Sequence, residues 1–289
     1  MIKKILTPLD GSAAAEAGLE WARPAAAKCG ATLQLLTVVP GDGSDGDAHV
    51  EHAEEYLKAR RDDLAVSGLS AESEVRRGDA AELILERAAS AEVTVMTYGA
   101  GRATLGGSLE LVLHRMDRPV VAVRAGVPPV ATSNPKILVP LDRAATSNEI
   151  LSAVQLLATS LNASAVLCHV IEPIGLYRDP ANAPPGIAAI LDDLIRQARA
   201  ELGEAATQLT RAGVEVEIVV QIGEPESELA HLAGACGAML IAMATRGHDE
   251  LSRVMGSVSY SVMHSTRIPC LLVRPAGTRI TGGLEAATA

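Results

Sequence analysis

The 289-residue chain contains no phenylalanine, and its only aromatics are Trp21, Tyr56, Tyr98, Tyr177 and Tyr260. So few rings argue against a base-stacking nucleic-acid surface and against an aromatic platform for sugars. Positive charge is also in short supply, with 25 Lys and Arg against 35 Asp and Glu and a formal net charge of −10. The deficit is even: up to Thr132 there are 14 basic and 19 acidic residues, and beyond it 11 and 16. No basic half or tail is available to neutralise phosphate backbones, so a nucleic-acid partner is not expected. Cysteine is limited to Cys29, Cys168, Cys236 and Cys270, none in a CxxC pair. That usage predicts reduced, buried thiols in a cytoplasmic protein. The apolar run after Lys3 and Lys4 ends at Pro8 and Asp10, too short for a signal peptide. No apolar stretch reaches the roughly 18 residues of a membrane span, so no membrane partner is expected.

What is abundant is Ala, Val, Leu and Ile. The hydrophobic fraction is 48%, too high for a disordered chain. The length suggests two domains at about 150 residues each. The sequence is in fact written twice. Lys4-Ile5-Leu6-Thr7-Pro8-Leu9-Asp10 returns 132 positions later as Lys136-Ile137-Leu138-Val139-Pro140-Leu141-Asp142. Gly78-Asp79 answers Gly223-Glu224, Gly107-Ser108 answers Gly256-Ser257, and Arg118-Pro119 answers Arg267-Ile268-Pro269. A repeat of this length is a whole domain. The stretch from Ala125 to Pro135, with Gly126, Pro128, Pro129, Ser133, Asn134 and Pro135, reads as a linker (127–135) between domains at 1–126 and 136–275, with a tail at 276–289.

Within each copy, short apolar runs alternate with amphipathic stretches. The first reads as strands near 2–8, 32–39, 71–77, 92–97 and 119–124, with helices near 12–29, 49–66, 79–90 and 107–117. The second reads as strands near 136–141, 164–171, 214–221, 238–244 and 268–273, with helices near 145–161, 187–212, 225–236 and 256–265. This alternation predicts α/β domains, each a five-stranded parallel sheet with helices on both faces. The two last strands are apolar and begin near proline. They are expected to pair with each other rather than leave open edges.

In such a sheet, ligands sit beyond the carboxyl ends of the strands. Asp10 and Asp142 stand there after Pro8 and Pro140, as hydrogen-bond acceptors for a ribose or an adenine amino group or as helix N-caps. After the fourth strand come Met96-Thr97-Tyr98-Gly99-Ala100-Gly101 in one copy and Met243-Ala244-Thr245-Arg246-Gly247 in the other. Gly-Ser pairs then open the next helix, where backbone N–H groups and a hydroxyl suit an anion. The run Gly101 to Ser108 has P-loop spacing, but Gly107 replaces the required Lys. No GxGxxG follows the first strand, which argues against a dinucleotide domain. His49 and His52 lie three apart among Glu51, Glu54 and Glu55 and read as a solvated helix face rather than a metal pair. His169 reads as a core or strand-end residue. His114 and His264, each five residues before a proline, suggest a shared packing or helix C-terminal role. No Ser-His-Asp or Cys-His set emerges.

These motifs together resemble the universal stress protein family, with Thr245-Arg246-Gly247-His248 and Gly256-Ser257-Val258 as the nearest stretch. The resemblance covers both copies. It implies a tandem of flavodoxin-like or adenine-nucleotide-alpha-hydrolase-like domains, ATP as ligand with Mg²⁺ as a possible companion, and a regulator of stress tolerance with at most slow ATP hydrolysis. The alternative is an interaction module working through self-association, including a homodimer. By this resemblance the nucleotide residues are Pro140, Asp142, Val170, Met243, Ala244, Gly247, Gly256, Ser257 and Val258. A second site comprises Pro8, Asp10, Val38, Met96, Gly99, Gly107 and Ser108. The family signature Gly-x₂-Gly-x₉-Gly-Ser/Thr is incomplete in both copies: Ala244 and Thr97 replace the first glycine. The loop from Met96 to Gly107 is two residues shorter than that from Met243 to Gly256. The second copy is therefore expected to hold nucleotide better.

Overall fold

A computed structural model describes residues 1–41, 46–99, 107–129, 132–142, 148–172, 186–245 and 256–274. The first half runs β1 (Lys4–Pro8), α1 (Glu16–Cys29), β2 (Thr32–Val39), α2 (Gly46–Val66), β3 (Ala71–Arg77), α3 (Ala80–Ala88), β4 (Val93–Tyr98), α4 (Gly107–Arg115) and β5 (Val120–Arg124). The second runs β6 (Lys136–Pro140), α5 (Asn148–Leu161), β7 (Ser164–Ile171), α6 (Ile187–Arg211), β8 (Val216–Ile222), α7 (Pro225–Ala235), β9 (Ala238–Ala244), α8 (Ser257–Ser265) and β10 (Cys270–Val273). The 276–289 tail and the start of the helix expected from 145 lie outside the described residues.

All ten strands join one sheet in the order β3-β2-β1-β4-β5-β10-β9-β6-β7-β8. Each half is parallel with a 3-2-1-4-5 order, whereas a flavodoxin-type sheet runs 2-1-3-4-5. Of the two arrangements the resemblance implies, this order selects the one that is not flavodoxin-like. The halves meet as expected through their last strands. β5 and β10 pair antiparallel, with Val121 opposite Leu271 flanked by Ala122–Cys270 and Val120–Leu272. That pairing turns one half over relative to the other, so their strands point in opposite directions along the sheet.

The central strands are apolar on both sides because both faces are covered. Ile5, Leu33, Val95, Val121, Val139, Leu167 and Leu271 face one core with Leu19 and Trp21 of α1, Leu57 of α2, Leu157 of α5 and Leu202 of α6. The alternate residues Leu6, Leu36, Met96, Ala122, Leu138 and Leu272 face the other core with Ile84, Leu113, Leu229 and Met263. Each core runs unbroken across the seam. At the edge, β3 carries charge instead. Arg76 Nη1 lies 2.9 Å from Glu86, and Arg87 Nε 3.3 Å from Glu74. Charged edges of this kind discourage pairing with another chain.

Several element boundaries differ from the sequence expectation for local reasons. The helix expected from residue 12 starts at Glu16, because Asp10 Oδ1 accepts from the Ser12 N–H (2.9 Å) and Ser12 Oγ from the Ala15 N–H (3.2 Å). These side-chain turns compete with helix. The strand expected from 268 starts at Cys270, since Pro269 has no N–H for the ladder. Gly78 and Gly223, repeated in the sequence, sit at φ +144° and +159° after β3 and β8. Glycine adopts that backbone freely.

Candidate functional site

In each half the strand order reverses between the first and fourth strands, and a cavity opens at their carboxyl ends. Such a reversal is where α/β sheets bind ligands. The second-half cavity is about 330 Å³. Pro140 and Asp142 enter it from the end of β6, Val170 from β7, and Met243 and Ala244 from β9. Gly256, Ser257 and Val258 enter from the start of α8. Eight of the nine residues expected there thus line one cleft. Gly247 lies outside the described residues, as do Arg246, His248, Asp249 and Glu250.

Two helix amino ends border this cleft. Gly256 is the N-cap of α8, and no side chain caps it. Pro225 opens α7, whose N-cap Glu224 also makes no capping hydrogen bond. A helix start leaves backbone N–H groups without intrahelical partners and carries partial positive charge. Opposite them stand two carboxylates, half-buried Asp142 and exposed Glu172.

His169 also lines the cleft. Its Nδ1 lies 2.7 Å from the Leu141 carbonyl oxygen, so the ring N–H donates to the main chain just before Asp142. The Leu141 N–H in turn donates to Cys168 O at 2.8 Å. This residue does sit near the strand end, as its sequence context suggested, but it also braces the Asp142 turn. Its equivalent across the repeat is Thr37. The apolar surroundings of His169 in sequence hid its role. Glu172, Pro225 and Leu229 were missed too: Pro225 follows Gly223-Glu224, a repeat that marks a helix start without pointing to the cleft, and Glu172 and Leu229 belong to no motif.

The first-half cavity, about 260 Å³, collects all seven residues expected for the second site: Pro8, Asp10, Val38, Met96, Gly99, Gly107 and Ser108. Its chemistry differs. Asp10 is exposed and its Oδ1 is engaged by Ser12. It therefore shapes a turn rather than capping α1, whose N-cap is Ala15. The amino end of α3 is closed by Asp79, whose carboxylate accepts from the Glu82 N–H at 2.9 Å. Tyr98, only 3% exposed, lines the cavity wall and donates its hydroxyl to Met263 O of the other half at 2.8 Å.

The structural register also corrects the pairing of the Gly-Ser motifs. The two nine-residue helices α4 and α8 and the strands that follow superpose at a constant offset of 150, since Val120 matches Cys270 and Arg124 matches Arg274. Gly107 therefore answers Ser257, and Ser108 falls one position further into its helix. β4 and β9 match at an offset of 147, with Met96 on Met243 and Tyr98 on Thr245. The loop between them is three residues shorter in the first half, not two.

The two histidines before the prolines share a place, as expected, through their carbonyl oxygens. His264 O accepts from Arg124 at 3.3 Å, and His114 O accepts from Arg274 at 2.5 Å, each across the seam. His49 and His52 are exposed on α2. Among the described residues no three His, Cys, Asp or Glu side chains are placed to hold a metal ion, and no helix is long and apolar enough to cross a membrane. Burial pushes the Cys168 thiol well up and the Cys270 thiol up to about 12, so neither supplies a thiolate at neutral pH.

The sequence profile of the universal stress protein family matches residues 1–124 and again 134–274. The chain belongs to the universal stress protein family. A universal stress protein of Mycolicibacterium smegmatis is 26% identical over 94% of this chain and 97% of its own length. Universal stress protein YxiE of Bacillus subtilis is 29% identical over 48% of this chain and 98% of its own length. Among solved structures, a universal stress protein from Archaeoglobus fulgidus has the same fold, with a TM-score of 0.69, 22% identity, and coverage of 94% of this chain and 98% of that one. The tandem organisation is thus shared with relatives along the whole length.

Proposed function

We propose that the second half binds an adenine nucleotide, ATP with its Mg²⁺, and that this chain acts as a stress-response regulator through that site. The observation carrying the reading is the meeting of two helix amino ends without side-chain caps with Asp142 on one cleft at the strand-order reversal. The N–H groups of Gly256, Ser257 and Val258 suit phosphate oxygens, and the Ser257 hydroxyl adds a donor. Asp142 suits the ribose hydroxyls or the adenine amino group. Pro140, Met243 and Val258 supply apolar wall for the base, with main chain at Val170 beside its edge.

The chain's charge of −10 and Glu172 at the rim oppose a triphosphate. Mg²⁺ masks part of that phosphate charge, so binding is moderate and strengthens with the metal. The first half serves a different purpose in this reading. Its capped α3, shorter loop and Tyr98 contact favour holding the two halves together over holding nucleotide. Because β5 and β10 cover each other within the chain, that edge is not offered to a second copy.

Titration calorimetry of the full chain with Mg-ATP tests the reading. Binding that Asp142→Ala weakens by about tenfold or more is expected, since a hydrogen bond to a charged group contributes about 1.5–3 kcal/mol. Absence of binding by the parent chain refutes it.

A further inference from the structure

The two outer edges of the sheet are equivalent strands, β3 and β8, with opposite chemistry. They match at an offset of 145, Ala71 answering Val216 in the two parallel ladders. Where β3 has Ser73, Glu74, Arg76 and Arg77, β8 has Ile218, Val219, Gln221 and Ile222. Ile218 and Ile222 are 38% and 43% exposed. β8 bonds to β7 through its odd-numbered residues: the Ala165 N–H donates to Glu215 O, and the Gly223 N–H to Ile171 O. The main-chain groups of Val216, Ile218, Val220 and Ile222 therefore point outward, and among the described residues no strand takes them. The helices above repeat the contrast. α2 and α6 align at the same offset, with Leu57 on Leu202 and Leu64 on Leu209, all buried. One flank of α2 leans on α1, where Tyr56 donates to Glu16 and Arg23 to Asp63. The opposite flank, beside the edge, carries exposed Lys58 and Arg61. On α6 those positions are Gly203 and Ala206, and a Cβ on Gly203 would meet nothing within 4 Å.

An exposed apolar edge strand is a surface for pairing with another chain, and the charges of β3 are what deters such pairing. The chain already buries one pair of this kind: β5 and β10 join antiparallel, and α1 touches α5 across them. We propose that β8 pairs antiparallel with β8 of a second copy of this chain, with the two α6 helices side by side, so that two sheets become one. The strand is self-complementary about Val219. In the register that uses all seven residues, Ile218 faces Val220 of the second copy and Val216 faces Ile222, joining outward main-chain groups in hydrogen-bonded pairs. Glu217 then lies opposite Gln221, whose amide donates to the carboxylate, rather than opposite a second Glu217. Helices pack about 8–10 Å apart, close to two strand spacings of about 4.8 Å. Gly203 and Ala206 leave room for that approach, whereas Lys58 and Arg61 would block it. Charge on β3 ends growth at two copies. The contact is independent of the nucleotide reading, because β8 lines neither cleft.

Sedimentation velocity of the full chain tests it. A dimer with a Kd on the order of 10 μM or tighter, and no larger species, is expected. Gly203→Lys, which installs the residue α2 has, and Ile218→Lys should each weaken it about tenfold or more, and Ser73→Lys on β3 should leave it unchanged. Thermal melting at a dilution where the parent is monomeric guards against misfolding: Gly203→Lys should melt at or above the parent temperature, because glycine inside a helix is unfavourable. Val219→Cys reads the register. Facing residues of a non-hydrogen-bonded antiparallel pair have Cα atoms about 4.5 Å apart, within disulfide reach. Mild oxidation should therefore give a covalent dimer that the parent, with its four native cysteines, does not form. A parent chain that stays monomeric up to about 200 μM overturns the proposal. So does a dimer that Gly203→Lys and Ile218→Lys leave unchanged, or one that Val219→Cys fails to cross-link.

Discussion

Where the second half has Thr245, the first has Tyr98. Thr245 Oγ1 turns to the adjacent Val273 carbonyl of its own half at 3.4 Å, whereas the Tyr98 hydroxyl crosses the seam to Met263 O at 2.8 Å. The same contrast recurs around both cavities. Asp79 closes the amino end of α3, and Glu224 leaves that of α7 without a side-chain cap. Asp10 is exposed and tied to Ser12, and Asp142 is half-buried beside the braced Leu141 turn. Strand order and core are held in common. The residues just beyond the strand ends have diverged, and there the repeat separates one half's use from the other's.

The seam itself carries the largest expected effect. Leu271 is fully buried at the centre of the β5–β10 pair. Leu271→Ala should cost about 2–5 kcal/mol of unfolding free energy. Because each core runs across the seam, urea denaturation should show one transition moved as a whole. Two separate transitions would break the picture of a shared core.

The comparison of the two cavities is sharpened next by paired substitutions in the full chain. Asp142→Ala should weaken Mg-ATP binding by about tenfold to a hundredfold, and Asp10→Ala by about threefold or less. Equal losses in calorimetry would show that the halves are interchangeable, and the argument from caps and loop length would fall.

Much of this contrast was legible in the residues. The strands could be read because each is a short apolar run buried on two faces. The pairing of the last strands followed from two apolar strands that would otherwise be open edges, whereas its antiparallel direction came only with the structure. The cavity linings followed from the rule that ligands sit past strand ends. What escaped was of three kinds. Glu172 and Leu229 reach their cavity, and Tyr98 its partner Met263 across the seam, by long-range packing, which has no local signature. The His169 bond to Leu141 depends on two adjacent strands ending in register. The offset of the Gly-Ser motifs was misread because Gly106, Gly107 and Ser108 present two glycines to one. The equal spacing from His114 to Pro119 and from His264 to Pro269, with the helix ends at Arg115 and Ser265, sets the offset at which Gly107 answers Ser257.

A smaller effect is expected at Tyr98. Burial pushes its phenol well above the ordinary value, so it remains a donor across the accessible pH range. Tyr98→Phe keeps the ring and removes the bond to Met263 O. The loss should be about 0.5–1.5 kcal/mol, read from the urea midpoint. A neutral result would place the adhesion of the halves in the β5–β10 pair and its flanking arginines alone.

The smallest effect separates the halves by pH. Glu92 Oε2 accepts from the Lys3 and Lys4 N–H groups at 3.0 and 2.8 Å and so holds the start of β1. The second half has Met239 in that place and Pro135 where Lys3 stands, and proline offers no N–H to satisfy. Partial burial works to raise the Glu92 carboxyl, but the main-chain donors of Lys4, Lys3 and Glu92 itself, with the Lys3 charge, together outweigh it and hold it below the usual range. A carboxyl lowered in the folded state gives its full stabilisation above its unfolded pKa of about 4.3 and loses it as pH falls through the folded value. Glu92→Gln should therefore cost on the order of 0.5–1 kcal/mol at pH 7, with solvent screening included, and almost nothing at about pH 3. Hydrogen exchange resolves where the loss falls. On acidification the amides of β1 should lose protection before those of β6 in the parent, and Glu92→Gln should remove that difference by weakening β1 already at neutral pH. Equal acid sensitivity of β1 and β6 in the parent would show that this carboxylate does not set the acid stability of the first half.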